Sequence, residues 1–414
     1  MPVVTNTDPV AKIKVIGIGG GGGNAINTMI TEYGIEGVEF MGFNTDAQSL
    51  KNCLAPTTLQ LGNDLTRGLG VGGDYNLGAK AADETVDEIT DNLSGADMVF
   101  VTAGMGGGTG TGAAPIVAGI ARNLGALTVA VVTKPFDFEG KHRQEIAEQG
   151  IAELKDKVDT LIIVPNQRLL EIVDEDISFI EAMKKVDNVL AEGVKSIAGL
   201  ITKSGFINVD FADIKTIMTD AGSSLMGIGR ASGENRAEIA ARMATNSPLL
   251  DLSIEGAKGV LFNVLGGLDL SMKEVDLAAQ LIQEAVDPNA NIIFGASIDE
   301  NLDDEIVITI IATGFDGTQK MGYSPSPIST KQEVVNDILQ DEDDEEVTEQ
   351  EKSEDISDKE KDVEDEEKEE EGYDEKESEG GEKNDKEEKD PKKPLDLEDL
   401  DDDDLEVPAF MRKK

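Results

Sequence analysis

Apolar residues gather in short blocks of strand length: Ile13–Ile18, Val38–Phe43, Met98–Thr102, Leu127–Val132 and Leu161–Val164, then Val260–Val264, Ile292–Gly295 and Ile306–Thr313. Segments of helical length separate them. Strands alternating with helices predict βαβ units and a mostly parallel sheet. The first five blocks predict one nucleotide-binding-like unit, and the last three a second, smaller α/β unit.

Between the two groups the period changes. Ser178 and Glu181 have the spacing of a capping box. Ile180, Met183, Val186, Leu190, Val194, Ile197 and Ile201 follow at intervals of three and four, which is one buried helical stripe. Gly205 stands where the residue after a C-cap belongs. The pattern predicts a helix of about 25 residues within 178–205, roughly 37 Å long at about 1.5 Å per residue, joining the two domains.

After about Thr330 the alternation stops. From Leu339 to Glu406 the chain carries 37 acidic and 10 basic residues and few aliphatic ones, the composition of a solvated chain. Such a tract spans ~45–50 Å as a random coil and acts as a spacer. The last ten residues, LEVPAFMRKK, bring back apolar side chains at Leu405, Val407, Pro408, Phe410 and Met411. Those suit a groove on a partner, or else a frayed end. The expected division is a flexible N-terminus (1–11), a nucleotide-binding domain (12–177), the central helix (178–205), a smaller domain (206–320), an acidic linker (321–404) and a docking peptide (405–414).

Charge narrows the partners. The net charge of −47 over 414 residues gives no basic nucleic-acid footprint, and an anionic membrane would repel the chain unless a tether intervened. No run of 18 apolar residues predicts a membrane span, and MPVVTNTDPVAK lacks the make-up of a signal peptide. A cytosolic protein is expected. Cys53 is the sole cysteine, so no disulfide forms within the chain, and it reads as a small buried hydrophobe rather than a reactive thiol.

Two glycine-rich loops carry the chemistry. Gly19–Gly23 with Asn24 follows the first strand and opens a helix, where backbone can approach a phosphate and helix N–H groups point at it. Alone it also fits a Rossmann dinucleotide turn. The block Met98–Thr102 leads into Gly104-Met-Gly-Gly-Gly-Thr-Gly-Thr-Gly112 and then a helix. Successive N–H groups there can form an anion nest, with Thr109 and Thr111 adding hydroxyl donors. A dinucleotide enzyme needs one such loop, whereas two in one sheet fit a triphosphate better. No GxxxxGK[ST] occurs, so this is not a P-loop.

The stretch Gly106–Gly112, GGGTGTG, resembles the signature loop of the tubulin/FtsZ family. NTDAQ (44–48), VTKPFDFEGKHR (132–143), VPNQRLL (164–170) and NVDFADIKTIM (208–218) resemble FtsZ-type segments in the expected order, so the likeness covers about residues 10–320 and the terminal peptide. It implies a Rossmann-like GTP-binding domain, a long central helix and a smaller α/β domain. It also implies a self-assembling cytoplasmic GTPase of the bacterial division ring at mid-cell. Gly20, Gly21, Gly22, Gly23 and Asn24 would contact the α/β-phosphates, and Gly106, Gly107, Gly108, Thr109 and Gly110 the phosphate chain. Asn44 and Asp46 would lie in a neighbouring nucleotide loop. Glu139, Arg143 and Asn166 would serve the ribose and nearby groups. Asp187, otherwise a solvated helix residue, would accept from guanine N1–H and the exocyclic amine. GTP or GDP is thus the implied ligand, with Mg2+ held mainly by nucleotide and water and no protein metal ligands. The terminal peptide would dock membrane tethers such as the actin-like FtsA.

Two departures stand out. The family places a base-stacking Phe where this chain has Met183, and its third loop, commonly GAGANP, reads GVGGDY at 70–75. Asp210 and Asp213 are the candidate catalytic acids, orienting a water. Asp210 also fits the N-cap of a helix over 214–218. The lone His142 reads as a solvated first-turn residue. Three functions remain in view: a division-ring GTPase, a filament scaffold that holds GTP without useful turnover, and a Rossmann-type dehydrogenase, which the second glycine loop opposes.

Overall fold

The computed structural model describes residues 11–172, 178–202, 207, 209–247, 253–299 and 302–315. Gly205, the acidic linker and the LEVPAFMRKK peptide lie outside the described residues.

Among the described residues ten strands form one sheet: β1 (Ile13–Ile18), β2 (Val38–Asn44), β3 (Thr57–Gln60), β4 (Met98–Gly104), β5 (Leu127–Lys134), β6 (Thr160–Pro165), β7 (Gly222–Ser232), β8 (Gly259–Gly266), β9 (Asn291–Ile298) and β10 (Glu305–Thr313). Their order is β3-β2-β1-β4-β5-β6-β7-β10-β8-β9. β1 to β6 are all parallel. β6 and β7 share a short parallel stretch, Thr160–Ile162 against Gly222–Ser224. β10 then runs antiparallel to both β7 and β8, and β9 parallel to β8. The chain reverses its direction of winding between β1 and β4, and the crevice at the carboxyl ends of such strands is where open α/β sheets take ligands.

Strands β1 and β4 are buried almost throughout because helices cover both faces of a parallel sheet. On one face Ile16, Val99, Val101 and Val132 pack under helices Tyr75–Glu84 and Thr109–Asn123. On the other, Val15, Phe100, Val129 and Val131 meet helices Gly19–Thr31 and Phe179–Thr202. The alternation 99, 100, 101 between the faces is the strand pleat at work. A third core joins β8 and β10 to helices Arg236–Thr245 and Met272–Glu284.

The central helix spans Phe179–Thr202, and its predicted capping box is present. Ser178 Oγ and N each donate to Glu181 Oε2, at 2.7 and 3.0 Å, and Glu181 N donates back to Ser178 Oγ at 3.3 Å. Val194, Ile197 and Ala198 are fully buried. Truncating a side chain such as Ile197 to Ala would cost about 2–5 kcal/mol.

Strands β3 and β7 have no counterpart in the predicted set. β3 is a four-residue edge strand, TTLQ. β7 reads GSSLMGIGRAS, too rich in glycine to look like a strand. Its glycines admit the neighbouring helix. A Cβ on Gly227 would fall 2.0 Å from the Ala244 carbonyl oxygen, and one on Gly229 1.9 Å from that of Ala240.

Candidate functional site

β1 passes directly into helix Gly19–Thr31, and β4 passes through Met105–Gly108 into helix Thr109–Asn123. Neither helix has a side-chain cap or an acidic residue in its first turn. Their leading N–H groups and positive dipole ends are therefore left for an anion. The two loops touch. Gly19 has φ 73°, and a Cβ there would lie 3.0 Å from Gly110 N, while one on Gly21 would lie 3.4 Å from Gly104 N.

Over this junction opens a cleft of about 440 Å³. It gathers Gly20, Gly21 and Asn24 from the first loop and Gly107, Gly108, Thr109 and Gly110 from the second. Glu139, Arg143, Asn166, Met183 and Asp187 complete its wall. Arg143 Nη1 donates to Glu139 Oε2 at 2.5 Å, and Glu139 Oε1 accepts from Phe136 N at 3.0 Å. Asn166 is buried, and its Oδ1 has no partner among the described residues. Asp187 is half-buried. Burial, reinforced by the charge of Glu32, pushes its carboxyl up to about 7.

Other expected residues lie beside the cleft or do different work. Gly106 lines an adjoining cleft of about 590 Å³ with Gly72, Gly73 and His142. Gly23 and Asn44 line a smaller one with Cys53. Gly22 is a packing residue, because a Cβ there would sit 2.5 Å from the Thr102 carbonyl oxygen and 2.8 Å from Gly17 C. Asp46 caps helix Ala47–Lys51, accepting from Gln48 N at 2.8 Å and Ser49 Oγ at 2.9 Å, and these bonds hold its carboxyl below the usual range. Thr111 is not a donor to the cleft. It is fully buried and accepts from Gly106 N at 2.9 Å. Cys53 is half-buried rather than buried. His142 is exposed in the first turn of helix Lys141–Lys155, as expected.

The third loop needs its glycines: Gly70, Gly72 and Gly73 all have positive φ. Asp74 then caps helix Tyr75–Glu84, its Oδ1 accepting from Asn76 N and Leu77 N.

Asp210 and Asp213 stand apart from the cleft, and both are exposed. Asp210 occupies the N-cap position of helix Phe211–Met218, but its side chain makes no cap hydrogen bond. The capping reading therefore does not account for its carboxylate.

Residues not anticipated also line the cleft: Thr133 near the end of β5 and Pro135 just past it, and Val186 and Leu190 on the central helix. The rule that parallel strands present ligands at their carboxyl ends points to the first pair. Helical spacing from Met183 points to the second.

Residues 12–174 match the model of the tubulin/FtsZ family GTPase domain, and residues 222–316 that of the FtsZ family C-terminal domain. An empty FtsZ dimer from M. jannaschii is 44% identical, with TM-score 0.73, and the match covers 78% of this chain and 96% of that one. A point mutant of FtsZ from the same organism is 46% identical, with TM-score 0.72, over 75% of this chain and 93% of that one.

The chain belongs to the tubulin/FtsZ family, on its FtsZ branch.

CetZ2 of Haloferax volcanii, solved as a GTPγS-bound protofilament, shares the fold at 21% identity and TM-score 0.61, over 80% of this chain and 99% of that one. As an FtsZ-family GTPase the chain takes a guanine nucleotide and hydrolyses it, which excludes the dehydrogenase reading. Two convergent helix ends, an orphaned Asn166 oxygen and a desolvated Asp187 carboxylate suit that ligand, which brings phosphates, hydroxyls and N–H donors. Among the described residues no helix is long and apolar enough to cross a membrane.

Proposed function

We propose that this GTPase assembles head to tail with copies of itself into filaments of the division ring, and that Asp210 and Asp213 of the adjoining copy complete hydrolysis. The observation that carries this reading is where the two acids sit. The cleft uses the first turns of the central helix, Met183 to Leu190. From Asp187 the helix runs on for roughly 15 residues, or ~22 Å, to Thr202. Asp210 and Asp213 come after that end, exposed and off the cleft. Carboxylates so placed serve another copy's nucleotide more readily than their own, orienting the attacking water. A contact of that kind repeats without closing and gives a filament. The dimeric and protofilament forms of the relatives support the same reading.

Within one copy, residues 12–177 and the first turns of the central helix hold the nucleotide, the rest of that helix and 206–320 deliver the acids, and 405–414, which lie outside the described residues, dock a tether of the FtsA type at the mid-cell membrane. The loop glycines with Asn24 and Thr109 cradle the phosphates, with Asn44 and Asp46 shaping the loop alongside. Glu139, Arg143 and Asn166 hold the sugar side. Met183 covers the base, and Asp187 accepts from guanine N1–H and the exocyclic amine. The Mg2+ of this proposal is held mainly by phosphate oxygens and water.

The test is Asp210→Ala in a GTP-dependent sedimentation assay with phosphate release. The variant should bind GTP normally and release no phosphate. Mixing it with a nucleotide-deficient partner should restore some turnover. Full activity in a dilute monomer would overturn the proposal.

A further inference from the structure

Among the described residues no aromatic side chain lines the 440 Å³ cleft. A guanine ring, flat and polarisable, is thus offered polar partners at its edge but no flat partner for its face. Two phenylalanines stand next to the lining. Phe138 directly precedes Glu139, and Phe179 lies one turn before Met183. Positions 179, 183 and 187 form one stripe along the central helix, at successive intervals of four.

The two rings meet. Phe138 and Phe179 have centroids 6.3 Å apart at an interplanar angle of 56°. Phe138 is stacked at 5.0 Å and 14° on Phe136, which is 1% exposed. One end of this aromatic row is therefore anchored in the core. The other end is open, with Phe138 63% and Phe179 66% exposed. Phe179 is the first residue of its helix. Helical side chains lean toward the N-terminus, so its ring projects off the helix start, toward Phe138 and the Pro135–Glu139 loop. Contiguous apolar surface of this sort marks a place where something binds.

We propose that Phe179, braced by Phe138, covers the nucleobase of the bound guanine nucleotide, beside Met183. Asp187 fixes the base by its polar edge, and the aromatic row closes on the face. The inference rests on guanine-nucleotide binding by this family and not on filament assembly. Stacking of one base on one aromatic ring corresponds to roughly 5- to 150-fold in affinity.

The experiment uses the full chain with GDP and, separately, inorganic tripolyphosphate, which fills the phosphate cradle but has no base. Binding is measured for Phe179→Leu and for Phe179→Leu combined with Met183→Phe, which moves the aromatic one turn along the same stripe. Circular dichroism checks the fold of each. Phe179→Leu should weaken GDP about tenfold and leave tripolyphosphate unchanged. The double variant should regain at least half of the loss. In the parent, guanine H8 should show a nuclear Overhauser contact to phenylalanine ring protons that Phe179→Leu abolishes. The proposal is overturned by a GDP affinity within twofold of the parent, by an equal loss for tripolyphosphate, or by a double variant no tighter than Phe179→Leu. Lost sedimentation with unchanged GDP binding would assign the pair to contact with a second copy and overturn it too.

Discussion

The amide nitrogen of Gly106 donates to Thr111 Oγ1 at 2.9 Å, out of solvent, so the second glycine loop is tied to the helix it introduces. Thr111→Val keeps the shape and removes the acceptor. A buried N–H left without a partner costs about 1–3 kcal/mol, and chemical denaturation should read that loss. Thr109 differs. Its Oγ1 lies 2.6 Å from Thr45 Oγ1 and it lines the cleft. Thr109→Ala should weaken nucleotide binding more than it lowers stability.

Gly20 and Gly22 look alike in sequence and should respond oppositely to alanine. A Cβ on Gly22 meets backbone at 2.5 and 2.8 Å, whereas one on Gly20 meets nothing within 4 Å. Gly22→Ala should destabilise the fold by about 1–3 kcal/mol or more, as overpacking does. Gly20→Ala should leave the denaturation midpoint unchanged or raised, since alanine is the better helix former. It should still weaken GDP binding, because the methyl group enters the phosphate side of the cleft. Paired denaturation and binding measurements separate the two effects.

The raised carboxyl of Asp187, at about 7 through burial and then Glu32, should make nucleotide binding pH-dependent. In the proposed role the ionised form accepts the base donors, so affinity should be full above pH 7. It falls as pH drops through 7, approaching about tenfold per unit. Asp187→Asn should flatten that profile. The nucleotide-free fold moves the other way. A carboxyl raised on folding contributes stability that is present below its ordinary value and lost as pH rises through about 7. Isothermal titration from pH 6 to 8 checks the first trend, and thermal melts of the nucleotide-free protein check the second.

Arg236 is 5% exposed, and its guanidinium donates to Asp269 and Glu274, each at 2.6 Å, and to Asp304 at 3.1 Å. Its hydrogen bonds pull the Glu274 carboxyl down to about 2. Arg236→Gln should cost about 2–4 kcal/mol, below the figure for a fully buried pair because Asp269 and Asp304 are open to water. Glu274's contribution is present above its ordinary value near 4.5 and lost as pH falls through 2. The gap between parent and variant should therefore narrow below about pH 4 in acid-unfolding curves.

Eight of the ten strands and the central helix can be read from the chain because their apolar periods are long and their glycine loops directly follow strands. β7 cannot, since its glycines at 227 and 229 answer to a helix backbone that only the tertiary structure brings near. The same limit applies inside the site. Pattern alone marks Gly20 to Gly23 as one phosphate loop, yet Gly22 answers to Thr102 on β4, and Asp46 is spent on capping its own helix. Val186 and Leu190 were visible as members of the buried stripe. Nothing in the order of residues showed that this stripe ends in the wall of a cleft. The ionisation of Asp187 was hidden for the same reason, because desolvation belongs to the assembled pocket.

The two uncapped helix ends sit in a chain of net charge −47. A nucleoside triphosphate is itself a polyanion, so at long range it is pushed away from the body that holds it at contact. Dissolved salt shortens that repulsion, with a Debye length of about 10 Å at 0.1 M. Encounter should then grow faster as ionic strength rises, the reverse of what a basic protein meeting a phosphate ligand would show.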